Sequence, residues 1–192
     1  GGITLGGGAL VAANDAALGA AGNNIAVTTS STLGIQAGTT SRTVNVASGA
    51  TLSIQGVGSG SALYTGAGNL NVSANGGIHL TNNASTYTGT TRFNGCNGVC
   101  SAYFSSIGNL GEASSLGAPT DAVSGTILFA QSSQYSDSVV YVGDGDSSNR
   151  NWNLQGSAAV IRNQGTGTLT ITGNVVTNGS GNYSAENADF QL

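Results

Sequence analysis

The stretch Ala62-Leu63-Tyr64-Thr65-Gly66-Ala67-Gly68-Asn69-Leu70-Asn71-Val72 contains the pattern that decides the fold. Leu70-Asn71-Val72 alternates apolar, polar, apolar, the period of a strand with one buried face. Gly66-Ala67-Gly68-Asn69 ahead of it supplies residues that tolerate positive φ and so turn corners. The alternation recurs in Ile25-Ala26-Val27, Val44-Asn45-Val46, Leu52-Ser53-Ile54, Ile78-His79-Leu80, Trp152-Asn153-Leu154 and Leu169-Thr170-Ile171. Between these runs lie Gly-Asn, Ser-Gly, Asn-Gly and Gly-Gly pairs, the punctuation of turns. So many brief strands joined by small corners describe a chain that turns repeatedly and stacks on itself.

The opening stretch also has a counterpart. Val160-Ile161-Arg162-Asn163-Gln164-Gly165-Thr166-Gly167-Thr168-Leu169-Thr170-Ile171 aligns with it after one inserted residue. Ala17-Leu18-Gly19-Ala20 returns as Ser115-Leu116-Gly117-Ala118, and Ser41-Arg42-Thr43-Val44-Asn45-Val46 matches Asn149-Arg150-Asn151-Trp152-Asn153-Leu154. Two repeat units follow, approximately 8–94 and 95–192, within a single domain over 1–192. A repeat of roughly 98 residues holds four or five coils of some 20 residues, which points to a parallel β-helix whose core exists only through stacking. About nine coils at about 4.8 Å each would make a rod of some 40 Å. Two stretches, Gly95 to Gly108 and Gln131 to Ser148, exceed their counterparts and are expected to leave the rod as loops.

Composition agrees with this reading. Among 192 residues, 32 are Gly, and Ser, Thr and Asn add 65, so half the chain disfavours helix interiors. Only 6 % of residues are charged, and Pro occurs once. Gly has no three-residue period, which excludes collagen. A hydrophobic share of 39 % is high for a disordered chain. With net charge -4 and four scattered Arg residues, the chain lacks the clustered cations of a nucleic-acid binder. No apolar run is long enough for a membrane-spanning helix. The start, Gly1-Gly2-Ile3-Thr4-Leu5, carries neither initiator Met nor signal peptide, and reads as a piece of a longer or processed protein.

Ile78-His79-Leu80-Thr81-Asn82-Asn83-Ala84-Ser85-Thr86-Tyr87-Thr88-Gly89-Thr90-Thr91 resembles the repeat Leu-x-Leu-x-Gly-x-Asn-x-Tyr-x-Gly-x-Thr of bacterial autotransporter passenger regions. Gly8-Ala9-Leu10, Ala17-Leu18-Gly19 and Gly167-Thr168-Leu169-Thr170-Ile171-Thr172-Gly173 are similar to further elements of those repeats. His79, Asn82 and Ala84 depart from the commoner choices, as does the Cys-bearing stretch. The resemblance implies an all-β, right-handed parallel β-helix with loop insertions, exported to the Gram-negative cell surface through a C-terminal translocator barrel. Large proteins of this kind are commonly adhesins. The implied partners are a host cell-surface or extracellular-matrix protein or glycan, together with adjoining β-helix coils. The alternatives are a structural stem that displays a distal domain and, behind it, a polysaccharide-active enzyme.

On such an exported chain, Cys96 and Cys100, three residues apart around Asn97-Gly98, are expected to form a disulfide closing a small loop. That closure contributes on the order of 2 kcal/mol. With two Cys and one His, a four-ligand zinc site is not provided for, and no cofactor is expected. Asn97, Tyr103 and Phe104 in the Cys-bearing stretch make a candidate binding loop, since exposed aromatics anchor partners. Tyr64, Tyr87, Tyr135 and Tyr141 are the other notable aromatics. His79, the sole histidine, should point outward between Ile78 and Leu80, and no serine has a nucleophile context around it. Asp144-Gly145-Asp146-Ser147-Ser148-Asn149 reads as a turn, or else as a calcium or acid–base pair built from Asp144 and Asp146.

Overall fold

A computed structural model describes residues 1–73, 77–94, 101–130, 137–155, 158–178, 182–186 and 189–190. Every strand pairing in it is parallel. The longest sheet stacks Ala9–Asn14, Ser31–Ala37, Thr51–Gln55, Asn69–Ser73, Thr91–Asn94, Ile127–Ala130, Trp152–Gln155 and Val175–Thr177 in chain order. A four-stranded sheet (Ile3–Leu5, Ile25–Val27, Thr43–Val46, Leu63–Gly66) forms a second face over the first coils. A five-stranded sheet (His79–Leu80, Ser101–Phe104, Asp137–Tyr141, Ala158–Asn163, Asn182–Glu186) forms another over the later ones. Asp146–Ser148, Leu169–Ile171 and Asp189–Phe190 make a short fourth sheet.

The architecture is the β-solenoid expected from the repeats, with fewer coils than about nine. Eight strands of the long sheet are joined by seven turns. Most steps are near the expected size: Ala9 sits beside Thr32, and Thr51 beside Asn69. Arg92, however, sits beside Leu128, so one coil consumes far more chain than its neighbours. The aligned stretches that open and close the sequence occupy different places on the coil. Residues 63–73 run from the four-stranded sheet into the long sheet, whereas 158–171 run from the five-stranded sheet into the three-stranded one.

Alternation sets what lies inside. Leu33, Ile54, Val72, Phe93, Phe129 and Leu154 stand one above the next in register on the inner side of the long sheet, all buried. Each such side chain contributes about 1.5–3 kcal/mol by leaving water, and none could do so in an isolated coil. Ile25, Val44 and Tyr64 stack likewise on the four-stranded sheet.

The residues of the quoted repeat motif build this stack. Tyr87 is buried, meets Tyr64 edge-on at 84° with ring centroids 6.4 Å apart, and shares a 2.7 Å hydrogen bond with the Thr91 hydroxyl. The Tyr64 hydroxyl donates to the Ser59 carbonyl at 2.6 Å. Burial pushes the Tyr87 phenol up to about 12 and raises that of Tyr64 further. Ser85 Oγ accepts from the Tyr64 amide. Gly89 lies directly on the Gly68 carbonyl of the coil below, where a Cβ would collide with backbone. Asn69 Oδ1 receives both the Thr90 amide and hydroxyl, pinning the next corner. The motif is therefore a set of stacking parts, which explains why it marks a scaffold rather than an activity.

Candidate functional site

The long coil is where the rod departs from its own repetition. After Ser101–Phe104 the Ser105 amide makes one more rung to the Leu80 carbonyl, the chain then leaves the stack, touches the rod again from Ser114 to Ala118, and re-enters the long sheet at Ile127. The contact at 116–118 is a regular rung: the Ala118 amide donates to the Tyr87 carbonyl at 2.9 Å. At the neck, Ser115 Oγ accepts from the Ser105 and Ser106 amides and donates to the Ser106 carbonyl, while Ser106 Oγ binds Asn83 Oδ1. Inside the excursion the Gly111 amide donates to the Pro119 carbonyl at 2.8 Å, and Asp121 caps the one-turn helix Ala122–Gly125.

The next coil fastens this excursion. Asp146 Oδ2 accepts the Ile107 amide at 2.8 Å and the Gly108 amide at 3.3 Å, and its Oδ1 accepts the Ser147 amide. Asn149 Oδ1 accepts from the Leu110 amide, while the Asn149 amide donates to Asn109 Oδ1. Arg150 is 1 % exposed. Its Nε donates to the Gly125 carbonyl at 2.9 Å, and its Nη1 to the carbonyls of Leu116 at 2.8 Å and Ile107 at 3.3 Å. Burial lowers the guanidinium to about 10, with the nearby Tyr87 opposing that shift, so Arg150 stays cationic at neutral pH. One charged group thus satisfies carbonyls from both ends of the excursion and from its rung. Held this way, the excursion presents Gly111, Glu112, Ala113 and 120–123 to solvent, with Val123 81 % exposed.

Arg42 plays a comparable part near the other end of the rod. It is buried, pairs with Asp15 at 2.7 Å, and donates to the carbonyls of Asp15, Gly19, Ala20 and Asn23. The Arg42 hydrogen bond holds the Asp15 carboxyl below the usual carboxylate range, with the Thr40 hydroxyl adding to it against partial burial.

The residues singled out from sequence are dispersed. Cys96, Asn97 and Cys100 lie outside the described residues. Tyr103 and Phe104 do not sit in an exposed loop: Ser101–Phe104 is a rung of the five-stranded sheet, pairing with His79–Leu80 and Asp137–Tyr141. Alternation then sends Phe104 wholly into the core, 5.4 Å from Tyr141 and 6.1 Å from Trp152 by ring centroids. Tyr103 points outward and stacks on His79 at 4.0 Å and 13°. His79 does face outward, and partial burial lowers its imidazole below the ordinary value. Asp144 is exposed at a turn, whereas Asp146 is engaged by backbone amides. Both carboxylates lie close enough to Tyr141 to add to the upward shift that burial gives its phenol. Among the described residues, no group of three His, Cys, Asp or Glu side chains is placed to hold a metal ion.

Sequence reasoning missed the excursion at 105–125 and the arginine that fastens it. The available signal was the pair Arg42 and Arg150, matched in the repeat alignment and set among uncharged neighbours. An arginine returning at matched positions of a stacked repeat marks a shared part in the scaffold.

The chain is 41 % identical, over an alignment of 203 positions, to the adhesin BmaC autotransporter of Brucella suis biovar 1 (strain 1330). The alignment takes in the whole of this chain and 6 % of that relative, so the chain spans a small fraction of the protein it matches. No family model and no solved structure matches the chain.

Proposed function

Because the chain belongs to the passenger regions of bacterial autotransporters, we propose that it serves as a surface-exposed adhesin segment. In this reading it stands on the Gram-negative cell surface and mediates attachment to host cells or extracellular matrix. The observation that carries the reading is a similarity to an adhesin running the full length of the chain over a solenoid of parallel coils. The attachment element is the excursion at 105–125, which the rod fixes with a buried arginine and presents through Glu112 and Val123. The partner is a protein or glycan of the host surface. The segment acts by binding rather than by catalysis. In support, Asp146 is committed to backbone amides, and His79 lies on a different sheet from Asp146.

A second reading, a stem that only displays a distal domain, is favoured by the motif residues Tyr87, Gly89 and Thr91, all of which serve coil stacking. Surface display of the parent passenger with Glu112→Lys and Val123→Asp together separates the two. The adhesin reading expects attachment to epithelial cells or immobilised matrix to fall while surface expression is unchanged. Attachment equal to the parent's would leave the segment as a stem.

A further inference from the structure

We propose that the outer face of the long sheet carries a binding groove for carboxylated glycans, with Arg92 at its carboxylate end. The proposal rests on the surface-attachment reading for its setting and places a second contact on a face distinct from the excursion. An open cavity of about 600 Å³ lies over the first coils, with Gly8 and Ala9 at one end and Thr32, Ser53 and Asn71 among its lining. The last three are outward residues in register: Thr32 beside Ser53, Ser53 beside Asn71, and Asn71 in turn beside Arg92. At about 4.8 Å per rung, this line runs about 14 Å and suits an oligosaccharide lying along the rod.

The chemistry of the lining narrows the occupant. Thr32, Ser53 and Asn71 are half-buried, and no hydrogen bond to another described residue engages their side chains, so two hydroxyls and an amide can both donate and accept. No apolar side chain larger than that of Ala9 lines the cavity, which disfavours a lipid or an apolar peptide anchor. Arg92 is exposed and uses Nε to bind Asn94 Oδ1 at 2.8 Å. Its two terminal nitrogens are uncommitted among the described residues. A guanidinium fork matches a single carboxylate in bidentate fashion. One such cation on a chain of net charge -4 does not suit a polyphosphate, which needs clustered cations. Hydroxyl and amide groups in line, ending on one guanidinium, suit a sugar chain with isolated carboxylates.

The test titrates the purified chain by calorimetry and saturation-transfer NMR with sialyllactose, a hyaluronan tetrasaccharide and lactose at physiological salt. Binding of sialyllactose assigns a sialic acid, binding of the tetrasaccharide a uronic acid, and either supports the proposal if lactose binds at least about tenfold more weakly. Arg92→Gln should weaken binding by about tenfold or more, and Ser53→Phe, which fills the groove, should abolish it, both with melting curves matching the parent. Absence of binding by both acidic sugars at millimolar concentration, equal binding of lactose, or unchanged binding in Arg92→Gln would overturn it. If sugar binding is absent while the displayed passenger still attaches to cells, the groove inference fails and the attachment reading stands. If the displayed passenger does not attach at all, the attachment reading fails.

Discussion

Replacing Arg150 with Gln tests whether the excursion is a fixed part of the rod. The substitution removes a fully buried cation and its hydrogen bonds to the carbonyls of Gly125, Leu116 and Ile107. Hydrogen bonds from a charged donor contribute about 1.5–3 kcal/mol each, and an orphaned buried carbonyl costs about 1–3 kcal/mol. Two opposing effects reduce that sum. Removing the cation relieves its own desolvation, and Arg150 Nη2 makes no hydrogen bond among the described residues, so the native network is incomplete. The balance is a loss of about 3 kcal/mol. In a solenoid such a loss stays close to the altered coil. Amide exchange followed by mass spectrometry should therefore show the Ile107 and Gly111 amides, which bond to Asp146 and to the Pro119 carbonyl, exchanging about a hundredfold faster. The amides of Leu33 and Ile54 in the early coils should be unaffected. Unchanged protection at 107–111, or an equal loss along the whole rod, would refute the reasoning.

Other consequences are local in the same way. Gly89→Ala places a methyl on the Gly68 carbonyl and should lower the urea midpoint by the equivalent of about 1–3 kcal/mol, the usual cost of overpacking. The His79 imidazole should titrate by NMR below its ordinary value, and Tyr103→Ala, which uncovers it, should bring the midpoint back up. Asp15 has a folded-state pKa held below its unfolded one. The Asp15–Arg42 pair therefore adds stability above the unfolded carboxylate value, and that contribution is lost as pH falls through the folded value. Acid melts should show this loss below about pH 4, with Asp15→Asn flattening that part of the curve. A thiol assay on unreduced protein should find no free thiol if Cys96 and Cys100 are joined, and two if they are not.

Much of the scaffold is readable from alternation alone. Val44-Asn45-Val46, Leu52-Ser53-Ile54 and Leu70-Asn71-Val72 place their apolar members inside and their polar members outside, as a two-residue period requires. The same rule carries to Phe104, but only once Ser101–Phe104 is known to be a rung. In the sequence it adjoins a Cys-bearing stretch without a counterpart, so it read as part of a loop. The excursion was hidden for a different reason. Most of its residues are the same Gly, Ser and small apolar types that make ordinary corners, and what fixes it comes from Asp146, Asn149 and Arg150, 25 to 43 residues further along. Local pattern carries no record of such a partner. Arg150 itself conceals its place, because an arginine is expected at the surface unless its hydrogen-bond partners are known.

Stretches far apart in the chain stand in one line along the solenoid. Thr32 and Asn153 share an outward ladder through Ser53, Asn71, Arg92 and Leu128. Five rungs at about 4.8 Å put their backbones about 24 Å apart. Spin labels at Thr32→Cys and Asn153→Cys, introduced with Cys96 and Cys100 replaced by Ser, allow that distance to be read by pulsed dipolar spectroscopy. A narrow distribution centred near 24 Å, widened only by the label arms, is the expected result. A broad distribution, or a distance well beyond that, would contradict the stacked coils and everything built on them.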